Sequence, residues 1–227
     1  IHMFSDSFAE VLERVDMSGK AALSKSDDCI VEQIIGGDQV TVEGYVHDGQ
    51  VTVHGVVDSI RHSNDSTFSR YEYPSERPDH ILERMRGYTR KVLGHIGYDN
   101  AAFNVEFFHA PSSDRIWLLE INPRVSQSHA AMFELVEGAP NFSESVHVAV
   151  GRRPPTRPGG AYMKAGKLFY RTALSDAVIS AVPSRDEIEA IERDLAGVEI
   201  EVCVGVGDRL SDMAYQDSYT FELALLH

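Results

Sequence analysis

Two nine-residue stretches, QVTVEGYVH (39–47) and QVTVHGVVD (50–58), lie on either side of Asp48-Gly49. Both alternate, and both are rich in β-branched residues, which pack well on a pleated surface and crowd a helix. Asp-Gly supplies two positions that tolerate positive φ, as a two-residue hairpin turn requires. A second pair of such stretches follows, AAFNVEFFH (101–109) and RIWLLEIN (115–122), joined by the polar loop PSSD. A chain with two hairpins of this kind has to build an antiparallel sheet.

Between the hairpins, residues 79–96 place Ile81, Leu82, Met85, Tyr88, Val92, Leu93 and Ile96 on one helical stripe, closed by Gly97. The same spacing predicts helices over 4–16, 127–137, 142–150 and 217–226. Another opens at Ser184, where Glu187 three residues on makes a capping box. Further strands are expected at 29–35, 163–171, 177–182 and 198–204. Residues 60–78 are polar, contain two prolines and read as a loop. GRRPPTRPGG (151–160) can continue neither helix nor strand. The expected fold class is therefore α+β. An antiparallel sheet flanked by helices occupies 4–150, a linker 151–160 and a small α/β subdomain 161–227.

Composition narrows the partners. The net charge of −14 opposes duplex nucleic acid or an anionic membrane as the main partner. It leaves room for a nucleotide held with a divalent cation, since such sites use acidic ligands themselves. Cys29 and Cys203 are isolated, with no C-x-x-C or metal spacing, and a reducing, cytoplasmic setting is the simplest expectation. No apolar run approaches the roughly 20 residues of a spanning helix. Ile1-His2-Met3 resembles a cloning scar, which would start the natural segment near Phe4.

The densest chemistry is LLEINPRVSQSH (118–129). Leu118 and Leu119 read as buried strand, and Asn122-Pro123 should end it. In the preceding strand Phe103, Val105 and Phe107 share one face, and Asn104 and Glu106 the other. In this strand Trp117, Leu119 and Ile121 share a face, and Leu118, Glu120 and Asn122 the opposite one. Folding the hairpin about residue 113 puts Glu106 opposite Glu120, with β-carbons roughly 4.5–5.5 Å apart. Two carboxylates at that spacing repel unless something offsets the repulsion. A divalent cation would, and hard oxygen ligands from Glu106, Glu120 and Asn122 suit Mg²⁺. Two other readings stay open from the residues alone: the wet face of a sheet, and a glycosidase-like acid pair, for which opposed positions are too close.

E-x-N-P-R at a strand end, with N-V-E-F on the strand before it, resembles the ATP-grasp superfamily. IVEQIIGGDQVTVEGYVHDGQVTVHGVVD is similar to that family's hinge strand and hairpin, and LGHIGYDNAAFNVEFF to the helix and strand before its first metal glutamate. The resemblance covers about 28–150 and lies nearest the carboxylate–amine ligase and biotin carboxylase-like members. It implies a ligase that activates a carboxylate as an acyl phosphate with ATP and joins it to an amine or similar nucleophile. Glu106, Glu120 and Asn122 would then hold Mg²⁺, with Mn²⁺ as an alternative. Arg124 would face the acyl phosphate as the catalytic cation. Glu32, Gln33, Ile34 and Ile35 would line the adenine. Gln39 stands where the family usually has a ribose-bonding glutamate, and Glu43 reads equally as a nucleotide or substrate contact and as a solvated residue. Ser126, Gln127 and His129 would shape a substrate pocket, or the serines would simply cap a helix. His54, Asp58 and Arg61 could face substrate, or be structural or solvated.

The family's two phosphate-side lysines and glycine-rich lid have no counterpart upstream of Glu32. The expectation is thus the C-terminal, metal- and adenine-side part of a ligase. Its partners are ATP, a small carboxylate, an amine and a missing N-terminal half of the same protein. The fragment would be inactive alone and prone to self-association through exposed strand edges. The competing expectation is a non-catalytic ATP-grasp-derived binding or assembly module.

Overall fold

The Asp48-Gly49 turn closes the first hairpin as its chemistry requires, with φ of 49° and 73° at the two positions. The computed structural model describes residues 35–61, 68–172, 176–212 and 221–226. The chain divides into two units, Ile1–Ile35 and Gly36–His227. Of the first, only Ile35 is among the described residues, and it carries no regular structure. The helix expected over 4–16, the strand expected from residue 29, and Glu32, Gln33 and Ile34 lie outside them.

The second unit holds β1 (Asp38–His47), β2 (Gln50–Arg61), β3 (Phe68–Tyr73), α1 (Asp79–His95), β4 (Ala101–Ala110) and β5 (Arg115–Asn122). A 3₁₀ turn (Gln127–His129) leads into α2 (Ala130–Glu137) and α3 (Asn141–Ala149). Then come β6 (Ala165–Thr172), α4 (Arg185–Asp194), β7 (Ile200–Val202) and β8 (Phe221–Leu226). The strands form one sheet in the order β5-β4-β1-β2-β3-β6-β8-β7, every pair antiparallel. Because β3 pairs with β6, the sheet continues from one side of 151–160 to the other.

The two sheet faces carry different cores. On one, Val40, Val42, Val46, Val56, Phe103, Val105 and Phe107 meet Ile81, Leu82, Met85 and Leu93 of α1. These four belong to the stripe read from the sequence, but Tyr88 and Ile96, also assigned to it, are exposed and Thr89 is buried instead; truncating the fully buried Met85 to alanine would cost about 2–5 kcal/mol. On the other face, Val57 and Tyr73 pack with Met132 and Phe133 of α2. Gly55 sits under that contact, because a Cβ there would lie 2.2 Å from the Phe133 ring.

Three elements differ from expectation. Within 60–78, β2 runs on to Arg61, and 68–73 form a strand rather than a loop. FSRYEY has little alternation of its own, but β2 and β6 bond it on both sides. The strand expected over 177–182 reduces to a single bridge between Val178 and Arg209. Residues 221–226, expected to be helical, form β8. FELALL contains good helix formers, yet pairing with β6 and β7 together outweighs a weak local preference. The capping box at Ser184 and Glu187 is present.

Candidate functional site

The second hairpin brings the two acids together. Glu106 pairs with Glu120, and Asn104 with Asn122. The register does so by a route that strict alternation misses. Beyond Glu106 it slips, so that Phe107 pairs with Leu118 and Leu119 is the extra residue of a β-bulge. The bulge re-aims the edge strand, and Leu118 and Leu119 are 42% and 43% exposed rather than buried. Without that added residue the turn at 111–114 would set Glu106 against position 119.

Asn122 binds the pair. Its Nδ2 lies 2.9 Å from Glu120 Oε1, 3.3 Å from Glu106 Oε1 and 3.4 Å from Asn104 Oδ1. An amide nitrogen has two hydrogens, so three oxygens compete for two donors. The other Glu106 oxygen, Oε2, accepts from Gln39 Nε2, whose own Oε1 accepts from Arg61. Arg61 also lies 4.3 Å from the Phe68 ring centroid. Among the described residues the amide donors to Glu106 are thus neutral, and its other hydrogen-bond partner is the Glu120 carboxyl. Burial first, and the charge of Glu120 second, push its carboxyl up to about 7.

An oxygen-rich wall of two opposed carboxyls and an amide fits a hard divalent cation. The acceptor excess at Asn122 is the local observation behind that fit. Rotation of the same amide would exchange a donor for a third oxygen. Among the described residues no group of three or more His, Cys, Asp or Glu side chains converges, so a cation on the two glutamates would need Asn122 as a third ligand.

Arg124 lies just past the strand end and is exposed. Its guanidinium bonds Asn122 Oδ1 at 3.4 Å and Val125 O at 3.3 Å. Gln39 is buried and borders a cavity of about 350 Å³ whose lining includes Asp38, Asp58, Ser59, Arg61 and Arg77. Asp58 is held by Arg77 Nε at 2.8 Å. Gln127 is exposed, and Ser126 opens the 3₁₀ turn without a side-chain cap bond.

The same face carries a polar layer that the sequence did not reveal. Glu43, wholly buried, meets His129, Asn104, Asn141 and the Ser126 amide. His54 is the extra residue of another bulge, since Glu43 pairs with Gly55 and Gly44 with Val53. That bulge buries the ring 3.1 Å from Glu144 Oε2, and burial, then Arg157, holds its pKa well below the usual imidazole range. Glu144 in turn takes the guanidinium of Arg157, from the proline-rich 151–160 stretch. Two cues were available: glutamates interrupting apolar patterns on β1 and α3, and a glycine after each of Glu43 and His54.

Comparison with known proteins bears on the family and the fold. A family model described as an ATP-grasp domain matches residues 2–131. The chain is similar to carbamoyl phosphate synthase large chains. It is 30% identical to that of Rhodopirellula baltica over 126 residues, 56% of this chain and 10% of that protein. It is 29% identical to that of Thermus thermophilus over the same length, 11% of that protein. The chain thus spans about a tenth of the length of these curated relatives. N5-carboxyaminoimidazole ribonucleotide synthetase from Thermus thermophilus shares the fold, with a TM-score of 0.64 at 15% identity, covering 97% of this chain and 53% of that one. Phosphoribosylglycinamide synthetase from Anaerococcus prevotii does so with a TM-score of 0.63 at 15% identity, covering 97% and 55%. With the family model spanning more than half of its length, this chain belongs to the ATP-grasp family.

Proposed function

We propose that this chain supplies the metal- and acyl-phosphate-facing wall of an ATP-dependent ligase. The ligase would activate a carboxylate as an acyl phosphate and join it to an amine or similar nucleophile. The observation that carries this reading is the pair Glu106 and Glu120, directly opposed in register and bridged by one amide. Glu106, Glu120 and Asn122 would hold Mg²⁺ or Mn²⁺. A bound cation would neutralise phosphate charge during transfer. Arg124 is exposed beside that wall, and a fixed guanidinium there would stabilise negative charge developing on the acyl group. Gln39 would meet the sugar of the nucleotide, with the cavity at its side leaving space for it. Glu32, Gln33, Ile34 and Ile35 are assigned to the adenine by resemblance.

The test uses the natural full-length protein that carries this sequence. Phosphate release from ATP should require both a carboxylate and an amine. Glu120→Gln and Arg124→Ala should each lower turnover by roughly 10²–10³-fold. Unchanged turnover in Glu120→Gln would dispose of the metal assignment. Metal-dependent nucleotide binding without turnover in the wild type would favour the non-catalytic module.

A further inference from the structure

We propose that Glu43 is a positioning residue: it fixes the loop that carries Arg124 and steadies Asn122 through hydrogen bonds, without touching nucleotide. The proposal rests on the ligase reading above and deepens it. Glu43 is fully buried. Its Oε1 accepts from His129 Nδ1 at 2.5 Å and Asn104 Nδ2 at 3.0 Å. Its Oε2 accepts from Asn141 Nδ2 at 2.9 Å and the Ser126 N–H at 3.5 Å. A carboxylate offers about four lone-pair sites, so these donors leave none for a ligand.

The donors come from three places in the chain, and each matters. Ser126 is gripped on both sides of its backbone: its N–H by Glu43, and its carbonyl by Asn141 Nδ2 at 2.8 Å. Arg124 stands two residues earlier. Among the described residues its guanidinium bonds Val125 O, next to Ser126, and Asn122 Oδ1, so its placement is tied to the backbone that Glu43 and Asn141 hold. His129 ties the far end of the turn to the same carboxylate. On the other side, Asn104 bonds Glu43 with its amide nitrogen and accepts from Asn122 with its oxygen at 3.4 Å. A continuous hydrogen-bonded path therefore runs from α3 through Glu43 and Asn104 to the amide that bridges Glu106 and Glu120. Asn104 is one of three oxygens sharing the two Asn122 hydrogens, and Asn141 Oδ1 is a buried acceptor without a partner among the described residues, so Glu43 is the member of the path whose oxygens are both engaged.

Glu43→Gln keeps the shape but sets an amide NH₂ against converging donors. The first measurement is amide hydrogen exchange on this chain. Exchange over residues 124–129 should accelerate by about tenfold or more, a loss in keeping with a charged hydrogen bond, while α1 is unchanged. Mn²⁺ affinity should fall roughly tenfold, as for a lost outer-shell partner. In the full-length protein kcat should fall on the order of 10²-fold, with the KM for ATP within about twofold. Unchanged exchange over 124–129 would overturn the proposal. So would a raised KM for ATP at constant kcat, which would signal direct contact. If Glu43→Gln does not fold, Asn141→Ser removes the grip on the Ser126 carbonyl and answers the same question: faster exchange supports the clamp, and unchanged exchange overturns it. Exchange needs neither metal nor turnover. Unchanged turnover in Glu120→Gln beside a loosened 124–129 loop would therefore defeat the metal assignment and leave the clamp standing.

Discussion

Two carboxylate clusters occupy the same face of the sheet and solve one electrostatic problem differently. In the closed cluster, Glu144 on α3 accepts both arms of Arg157, one at 2.7 Å, while the guanidinium lies 5.1 Å from the Phe133 ring centroid. In the open cluster, Glu106 and Glu120 face each other, and the donors to Glu106 are amides. Burial is the leading cause that raises both the Glu144 and the Glu106 carboxyls. What differs is the groups that bond the acids. The closed cluster draws a guanidinium from the 151–160 segment, and burial keeps the adjacent His54 neutral, so Arg157 carries the compensating charge. In the open cluster the donors seen on Glu106 among the described residues are the Gln39 and Asn122 amides. Where the fold needs permanence the chain provides the counter-charge, and where carboxylates stand opposed a diffusible ion can complete them.

The sharpest way to break this contrast is Arg157→Ala. It leaves the buried Glu144 carboxylate without its guanidinium, and the expected loss is about 3–5 kcal/mol in urea unfolding. A loss below about 1 kcal/mol would mean that Glu144 does not depend on Arg157. Next in size is the response of the open cluster to a divalent ion. Mn²⁺ at a hundred times its Kd should raise unfolding stability by about 2.7 kcal/mol, and Glu120→Gln should remove most of that gain. An equal gain in the variant would place the ion elsewhere.

Gly55→Ala probes the packing that keeps the closed cluster closed. A Cβ would meet the fully buried Phe133 ring, which cannot retreat, so a loss of about 1–3 kcal/mol is expected. A neutral result would show that α2 can shift on the sheet.

The smallest effect is the pH dependence of the metal-free open cluster. The Glu106 carboxyl lies at about 7 in the folded protein against 4.5 for the free group. A raised folded pKa means that the folded state holds the proton more tightly. The stabilisation is therefore complete below pH 4.5 and is lost as pH rises through 7. Screening at this half-open face limits it to about 1 kcal/mol. Glu106→Gln should flatten that part of the stability profile, and saturating Mn²⁺ should flatten it in the wild type. A profile of identical slope in the variant would show that the pair does not share a proton.

Much of the sheet was legible in advance. The Asp48-Gly49 turn, the β-branched alternation beside it and the stripe on α1 each carry their own local instruction, and local and tertiary preferences agree there. Glu106 and Glu120 were also legible as a pair, although the molecule reaches that pairing through a bulge at Leu119 rather than through strict alternation. The strands β3 and β8 were not legible. FSRYEY and FELALL have no strand pattern of their own, and each is held by neighbours on both sides.

The polar layer around Glu43 and Glu144 was hidden for a related reason. A polar residue on alternate strand positions reads as solvent-facing until something covers it, and the cover here is α2 and α3, whose packing no single segment encodes. By itself, then, the amino-acid order determined which segments could pair and which two acids would meet, because turn chemistry and side-chain period act over a few residues. Only the tertiary structure decided which acids are sealed with a cation and which stand open, because burial and charge pairing depend on elements far apart in the chain arriving at the same place.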